Sequence, residues 1–139
     1  MSTIKETNTT TEKQETLELE LNAVTRKIYF ALVNATGQDF YLSGEHFVRG
    51  HFEGEKPSTI VKCSQKKFTV VNKGDRGLEG TLIWKGKDTG GDFSLNFNKP
   101  AGSGDTTISP TAPAGYGCCW SGNPKGHESW IAVAYWKML

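Results

Sequence analysis

Phe93, Leu95 and Phe97 alternate strictly with Ser94, Asn96 and Asn98. Only an extended strand carries every second side chain on one face. Such a strand buries its apolar half and shows its polar half to water. It therefore belongs to a sheet covered on one side.

The rest of the chain repeats the signal. Ile28 to Val33 is a nearly continuous apolar run, as expected of a strand buried on both faces, and Asn34 to Gln38 reads as its turn, with Gly37 free to take a positive φ. Phe40 to Leu42 resumes a strand, Gly44 and Gly50 bracket Glu45 to Arg49, and Pro57 ends that region. Ser58 to Lys62, Lys67 to Asn72 and Gly80 to Trp84 are further strands, with turns at Lys73 to Gly77 and Lys85 to Gly91. Lys99 to Gly117, with Pro100, Pro110 and Pro113, reads as a long loop, and a loop of that length in a compact domain usually has a task. A glycine-rich turn from Ser121 to His127 then leads into a last strand, Trp130 to Trp136. That strand has Ile131, Val133 and Tyr135 on one face and Trp130, Ala132, Ala134 and Trp136 on the other. Short strands separated by turn signals every ~8–12 residues predict a sandwich or barrel. The expected fold is all-β: a single-domain antiparallel β-sandwich over residues 16–139, preceded by a disordered polar tail over residues 1–15. Leu17-Glu18-Leu19-Glu20-Leu21 alternates like a strand, although leucine and glutamate would also suit an amphipathic helix.

Composition narrows the function. Sixteen Lys plus Arg against 15 Asp plus Glu leave a net charge of +1 in 139 residues. A strong global positive field, which nucleic-acid binding by phosphate neutralisation would use, is absent, so nucleic acid is not an expected partner. The N-terminus lacks the apolar core of a cleavable signal, and no run approaches the ~20 apolar residues of a spanning helix. The chain is expected to be soluble and cytoplasmic as made, and to reach a membrane only after release or at a target. Three cysteines, two of them adjacent, give little support to a disulfide framework; Cys63 pairing with Cys118 or Cys119 is the alternative to three reduced, mostly buried thiols. Their spacing fits no zinc motif, and no cofactor is expected.

Catalytic signals are sparse. His51 and Glu53 would share a strand face, and Glu45 adjoins His46, but a polar strand surface explains both. No Gly-x-Ser-x-Gly elbow or phosphate loop is present. Cys118 or Cys119 with His127 is the remaining nucleophile–base pairing, and it carries no motif. Aromatic residues are more telling. Trp84 ends a strand beside Lys85-Gly86-Lys87, Tyr116 closes the proline-rich loop, and Trp120 opens the glycine-rich turn. Any one aromatic on a strand is ordinary packing, whereas loop-borne Tyr116 and Trp120 point to a ligand or an interface.

The order of these pieces resembles the cytolysin and lectin superfamily of β-sandwiches, above all the actinoporins with their fungal and bacterial relatives, and secondly the aegerolysins. The resemblance spans about residues 24–139. It rests on Asn34-Ala35-Thr36-Gly37, Gly77-Leu78-Glu79-Gly80-Thr81-Leu82 followed by Ile83-Trp84, Phe93 to Pro100, and Gly126-His127 ahead of the last strand. It implies recognition of a phosphocholine headgroup, a toxin or defence role, and a pore made by an N-terminal amphipathic helix. Carried over by position, Pro100 is the headgroup-site proline and Asn98 stands where serine is usual. The aromatic run that follows the proline in actinoporins is here Ala101-Gly102-Ser103-Gly104-Asp105-Thr106, and the N-terminus has no ~20-residue apolar face.

The expectation is a non-enzymatic protein that binds a membrane lipid. Trp84, Tyr116 and Trp120 would stack or insert, Asn98, Pro100 and Ser103 would line the headgroup site, and Lys85, Lys87 and Lys125 would meet lipid phosphates. One rival is a lectin with its sugar on Trp120. Another is an interaction protein whose exposed aromatics assemble it into a homo-oligomer.

Overall fold

A computed structural model describes residues 25–73, 77–101, 104–124 and 129–139. The described chain is all-β, in ten strands: β1 (Thr25–Ala35), β2 (Phe40–Arg49), β3 (His51–Glu53), β4 (Thr59–Ile60), β5 (Ser64–Lys73), β6 (Leu78–Gly86), β7 (Asp92–Lys99), β8 (Thr107–Thr111), β9 (Tyr116–Pro124) and β10 (Ser129–Met138). They form two five-stranded sheets. The first has the order β3-β5-β1-β10-β9 and the second β4-β2-β6-β7-β8. The expected sandwich is therefore present, with one departure from a purely antiparallel pattern. β1 and β10, near the two ends of the chain, lie parallel at the centre of the first sheet, from Lys27 beside Ser129 to Ala35 beside Lys137. The expected tail and the Leu17–Leu21 segment lie outside the described residues.

The core follows from the alternation. Ile28, Phe30 and Leu32 of β1 and Ala132, Ala134 and Trp136 of β10 face Leu78, Leu82 and Trp84 of β6 and Phe93, Leu95 and Phe97 of β7, all buried. A continuous set of aromatic contacts runs through it. Phe40 stacks on Phe93 at 4.2 Å between centroids and meets Trp136 edge-on at 5.7 Å, while Trp136 meets Trp84 at 5.8 Å. Edge-to-face and offset geometries suit the ring quadrupoles and add to the gain from area burial. Gly80 makes room for this packing: a Cβ there would stand 2.8 Å from the Phe97 ring and 2.9 Å from the His46 carbonyl.

Several local expectations are corrected. β1 is not buried on both faces: its inner residues are buried and its outer ones only half-buried, because the first sheet has nothing packed on its outer side among the described residues. The Lys99–Gly117 loop contains β8 and the first residues of β9. Pro110 hid β8 from the sequence pattern, yet a proline is tolerated on an edge strand, where one amide points away from the ladder. The Ser121–His127 turn is likewise strand as far as Pro124, paired along its length with β10. All three cysteines are free as expected, but Cys63 and Cys119 are exposed and Cys118 half-buried rather than mostly buried.

The turn after β1 is held by side chains. Asn34, fully buried, donates through Nδ2 to the carbonyls of Gln38 (2.8 Å) and Ile60 (2.9 Å). Gln38, 3% exposed, accepts at Oε1 from the amides of Asp88 (2.8 Å) and Thr89 (3.1 Å) and donates through Nε2 to the Tyr116 hydroxyl (2.9 Å). Three connections are thereby tied together at one end of the sandwich, and every buried polar atom named here has a partner.

Candidate functional site

The strands distribute the sequence-predicted site over the core, the two ends and one margin of the sandwich. Trp84 is 0% exposed, and its Nε1 donates to the Pro57 carbonyl at 2.9 Å. Its ring is core, with no free face for a ligand, and that expectation is corrected. Tyr116 lies on β9, not in a loop. It is half-buried, edge-on to Phe93 at 5.1 Å, with its hydroxyl engaged by Gln38. Lys85 and Lys87 belong to that same end of the sandwich; Lys85 pairs with Asp92 at 2.6 Å, and Lys87 is exposed in the turn after β6. Asn98 and Pro100 lie at the opposite end. Gly77 packs against this backbone: its φ of 77° favours glycine, and a Cβ there would stand 2.4 Å from the Lys99 carbonyl. Ser103 and Lys125 are outside the described residues, as is His127, so the Cys–His pairing is not placed.

Of Trp84, Tyr116 and Trp120, the fold leaves Trp120 the most accessible, at 38% exposure. It stands on β9 directly beside Ala134 of β10, and Ala134 faces the core. Trp120 is thus on the inner face of an edge strand, at the open margin between the sheets. Its neighbours along that face are Gly122 and, across the ladder on β10, Trp130. The sequence pattern had put Trp130 on the face shared with Trp136, and that is where it lies, half-buried against the core. Gly122 sits between the two indoles. A Cβ there would be 3.1 Å from the Trp120 ring and 3.3 Å from the Trp130 ring. The missing side chain lets both large rings approach one backbone position, and together they line the β9 margin of the sandwich as an aromatic ledge. An exposed indole combines an apolar ring with one N–H donor, which suits an interface between hydrocarbon and water. Gly122 and Trp130 were not among the expected site residues. The readable signal was two tryptophans flanking a glycine across one hairpin.

The titratable groups near the ledge are few. Burial, and secondarily the neighbouring Cys119, push the Cys118 thiol above its ordinary value. Cys118 Sγ lies 3.1 Å from the Pro110 carbonyl and so joins β9 to β8 across the sandwich margin. His51 and Glu53 do share β3, but Glu53 is engaged by Lys27 at 3.0 Å. That hydrogen bond is the main reason the Lys27 ammonium holds its proton above the usual range. No group of His, Cys, Asp or Glu among the described residues is placed to hold a metal ion. No helix among them is long and apolar enough to cross a membrane.

Comparisons with known proteins give the fold. No family model matches the chain, and no curated protein matches it. Among solved structures, the chain is similar to the lipid binding protein Nakanori, with a TM-score of 0.65 at 15% identity over 95% of this chain and 82% of that one. It is similar also to IP-1A from Alcaligenes faecalis, with a TM-score of 0.64 at 15% identity over 87% of this chain and 96% of that one. At such identities what is shared is the fold. The resemblance read from the sequence thus holds for the β-sandwich.

Proposed function

We propose that this protein is a non-enzymatic lipid-binding module that docks on membranes through the Trp120–Trp130 ledge. The observation that carries the reading is the position of Trp120: a large ring on the inner face of an edge strand left 38% exposed, backed by Gly122. Folding has not used that surface. Removing apolar area from water is favourable by ~25 cal/mol per Å². The likeness in fold to a protein described as lipid binding supports the same reading. Insertion is shallow in this account. The indoles reach the headgroup level, the Trp120 ring lies against acyl chains, and the backbone stays in its ladder with β10. Headgroup choice and any cytolytic step are part of the expectation drawn from the resemblance and are not needed for this docking. Asn98 lies on the outer face of the second sheet, so it is not part of the ledge. Vesicles containing phosphatidylcholine brominated on its acyl chains test the reading. Quenching of tryptophan emission in the wild type, largely lost in Trp120→Phe, is the expected result. Emission that the brominated vesicles leave unchanged would contradict it.

A further inference from the structure

The outer face of the second sheet differs from the ledge in every physical respect. Ladder register builds it in rows. Arg49, Glu79, Asn98 and Thr107 form one row, and His46, Thr81, Asn96 and Ser109 the next. On β6, β7 and β8 these rows hold one charged residue, Glu79, and otherwise short neutral side chains with hydroxyl or amide groups. Between them lies a depression of about 160 Å³ lined by Val48, Glu79, Thr81, Asn96, Asn98, Thr107 and Ser109 together with Gly80 and Phe97. Val48 reaches it because the ladder between β2 and β6 is irregular between Phe47 and Arg49, which inserts one extra residue and leaves Val48 53% exposed.

The polar groups in this depression are partly committed, and the commitment orients the rest. Thr81 donates to Asn96 Oδ1 at 2.6 Å, so the Asn96 amide nitrogen keeps its two donors for an incoming group. Arg49 donates to Glu79 Oε1 at 2.8 Å, which balances the carboxylate and leaves its second oxygen as an acceptor. One row further on, Ser94 and Thr111 bond to each other and mark the edge of the available set. Among the described residues, Asn98, Thr107 and Ser109 make no side-chain hydrogen bond within the protein, and all three are exposed. The result is a shallow patch of donors and acceptors about 4.8 Å apart across strands, with one apolar wall.

We propose that this depression binds a neutral polyhydroxyl group, one hexose unit of a glycan or of a glycolipid headgroup. Sugar hydroxyls donate and accept at once, and they match a mixture of amide donors, hydroxyls and one carboxylate acceptor. Val48 covers the C–H face of the ring. A phosphate or other anion fits poorly, because Glu79 faces the site and the nearest guanidinium is already paired with it. The site is independent of the aromatic ledge, since it stands on the opposite sheet and on its outward side.

The test uses the full chain in two arms. In the first, saturation-transfer NMR is run with methyl glycosides of glucose, galactose, mannose and N-acetylglucosamine. In the second, phosphatidylcholine vesicles are compared with and without monohexosylceramide. Both arms include the double variant Asn98→Ala with Ser109→Ala. Both residues are exposed, and near-UV circular dichroism checks that the variant is folded. The expected result is transfer to the ring protons of at least one glycoside, weakened fivefold or more in the double variant. A gain in pelleting on monohexosylceramide, lost in the double variant, also supports the site and identifies a glycolipid as the source of the sugar. Glycoside transfer without such a gain supports it with a free glycan as the source. The double variant still responds to brominated phosphatidylcholine like the wild type, so failure here and failure of the lipid reading are told apart. No transfer to any glycoside together with no monohexosylceramide gain would overturn the proposal. So would sugar binding that the double variant retains in full.

Discussion

Trp120 and Trp130 close on Gly122 from two paired strands, with ring atoms 3.1 and 3.3 Å from the point where its Cβ would stand. The ledge depends on that gap. Gly122→Val puts a branched side chain against both rings and a Cβ 3.0 Å from the Ile131 carbonyl. The rings and the Ile131 carbonyl must then give way. Crowding of this kind costs about 1–3 kcal/mol. The expected outcome is a lowered thermal midpoint, with tryptophan emission shifted to the red as the indoles gain water.

Trp84 supplies the contrasting case. It is as large as Trp120 but serves the core, and Trp84→Phe leaves the Pro57 carbonyl without its donor and a void beside Trp136. The loss is expected to be about 2–4 kcal/mol by urea denaturation. Vesicle binding of the folded fraction stays at the wild-type level.

Thiol chemistry reads the margin between β8 and β9. The Cys118 thiol is raised by burial and by Cys119, so at any pH near 8 a smaller share of it is thiolate, and the thiolate is the form that reacts. Cys63 and Cys119 are exposed. Iodoacetamide followed by peptide mass spectrometry is expected to label those two first and Cys118 last.

Lys85 and Lys87 lie at the end of the sandwich away from Trp130, and Lys85 is already paired with Asp92. Replacing both with alanine is expected to change pelleting on phosphatidylcholine–sphingomyelin vesicles by less than twofold. A larger loss would mean that this end, and not the ledge, faces the membrane.

Much of this architecture was legible in the residues, and what was missed has physical causes. Alternation gave both strands, the buried face of Phe93, Leu95 and Phe97, and the division of Trp130–Trp136 into two faces, of which burial of Ala132, Ala134 and Trp136 shows the inner one. β8 and most of β9 were hidden by Pro110, Gly117, Gly122 and Pro124, residues that signal turns locally but are tolerated on edge strands. The site was read less well for the same reason. Once Trp120 is assigned to a loop with Tyr116, it looks like a neighbour of Trp84 and Lys85 as well. Ladder pairing instead sends Trp84 into the core and sets Trp120 beside Ala134. Which residues from distant strands share a row, such as Glu79, Asn98 and Thr107, depends on register, and register is a property of the assembled sheet.

The central claim is that Trp120 carries membrane binding. Co-sedimentation of the wild type and Trp120→Ala with equimolar phosphatidylcholine–sphingomyelin vesicles tests it most directly. The side chain is partly exposed and β9 is an edge strand, so the variant is expected to fold. The account predicts that the wild type pellets and that the variant's partition coefficient falls at least tenfold, equivalent to about 1.4 kcal/mol. Equal pelleting of the two proteins, or no pelleting of either, would contradict it.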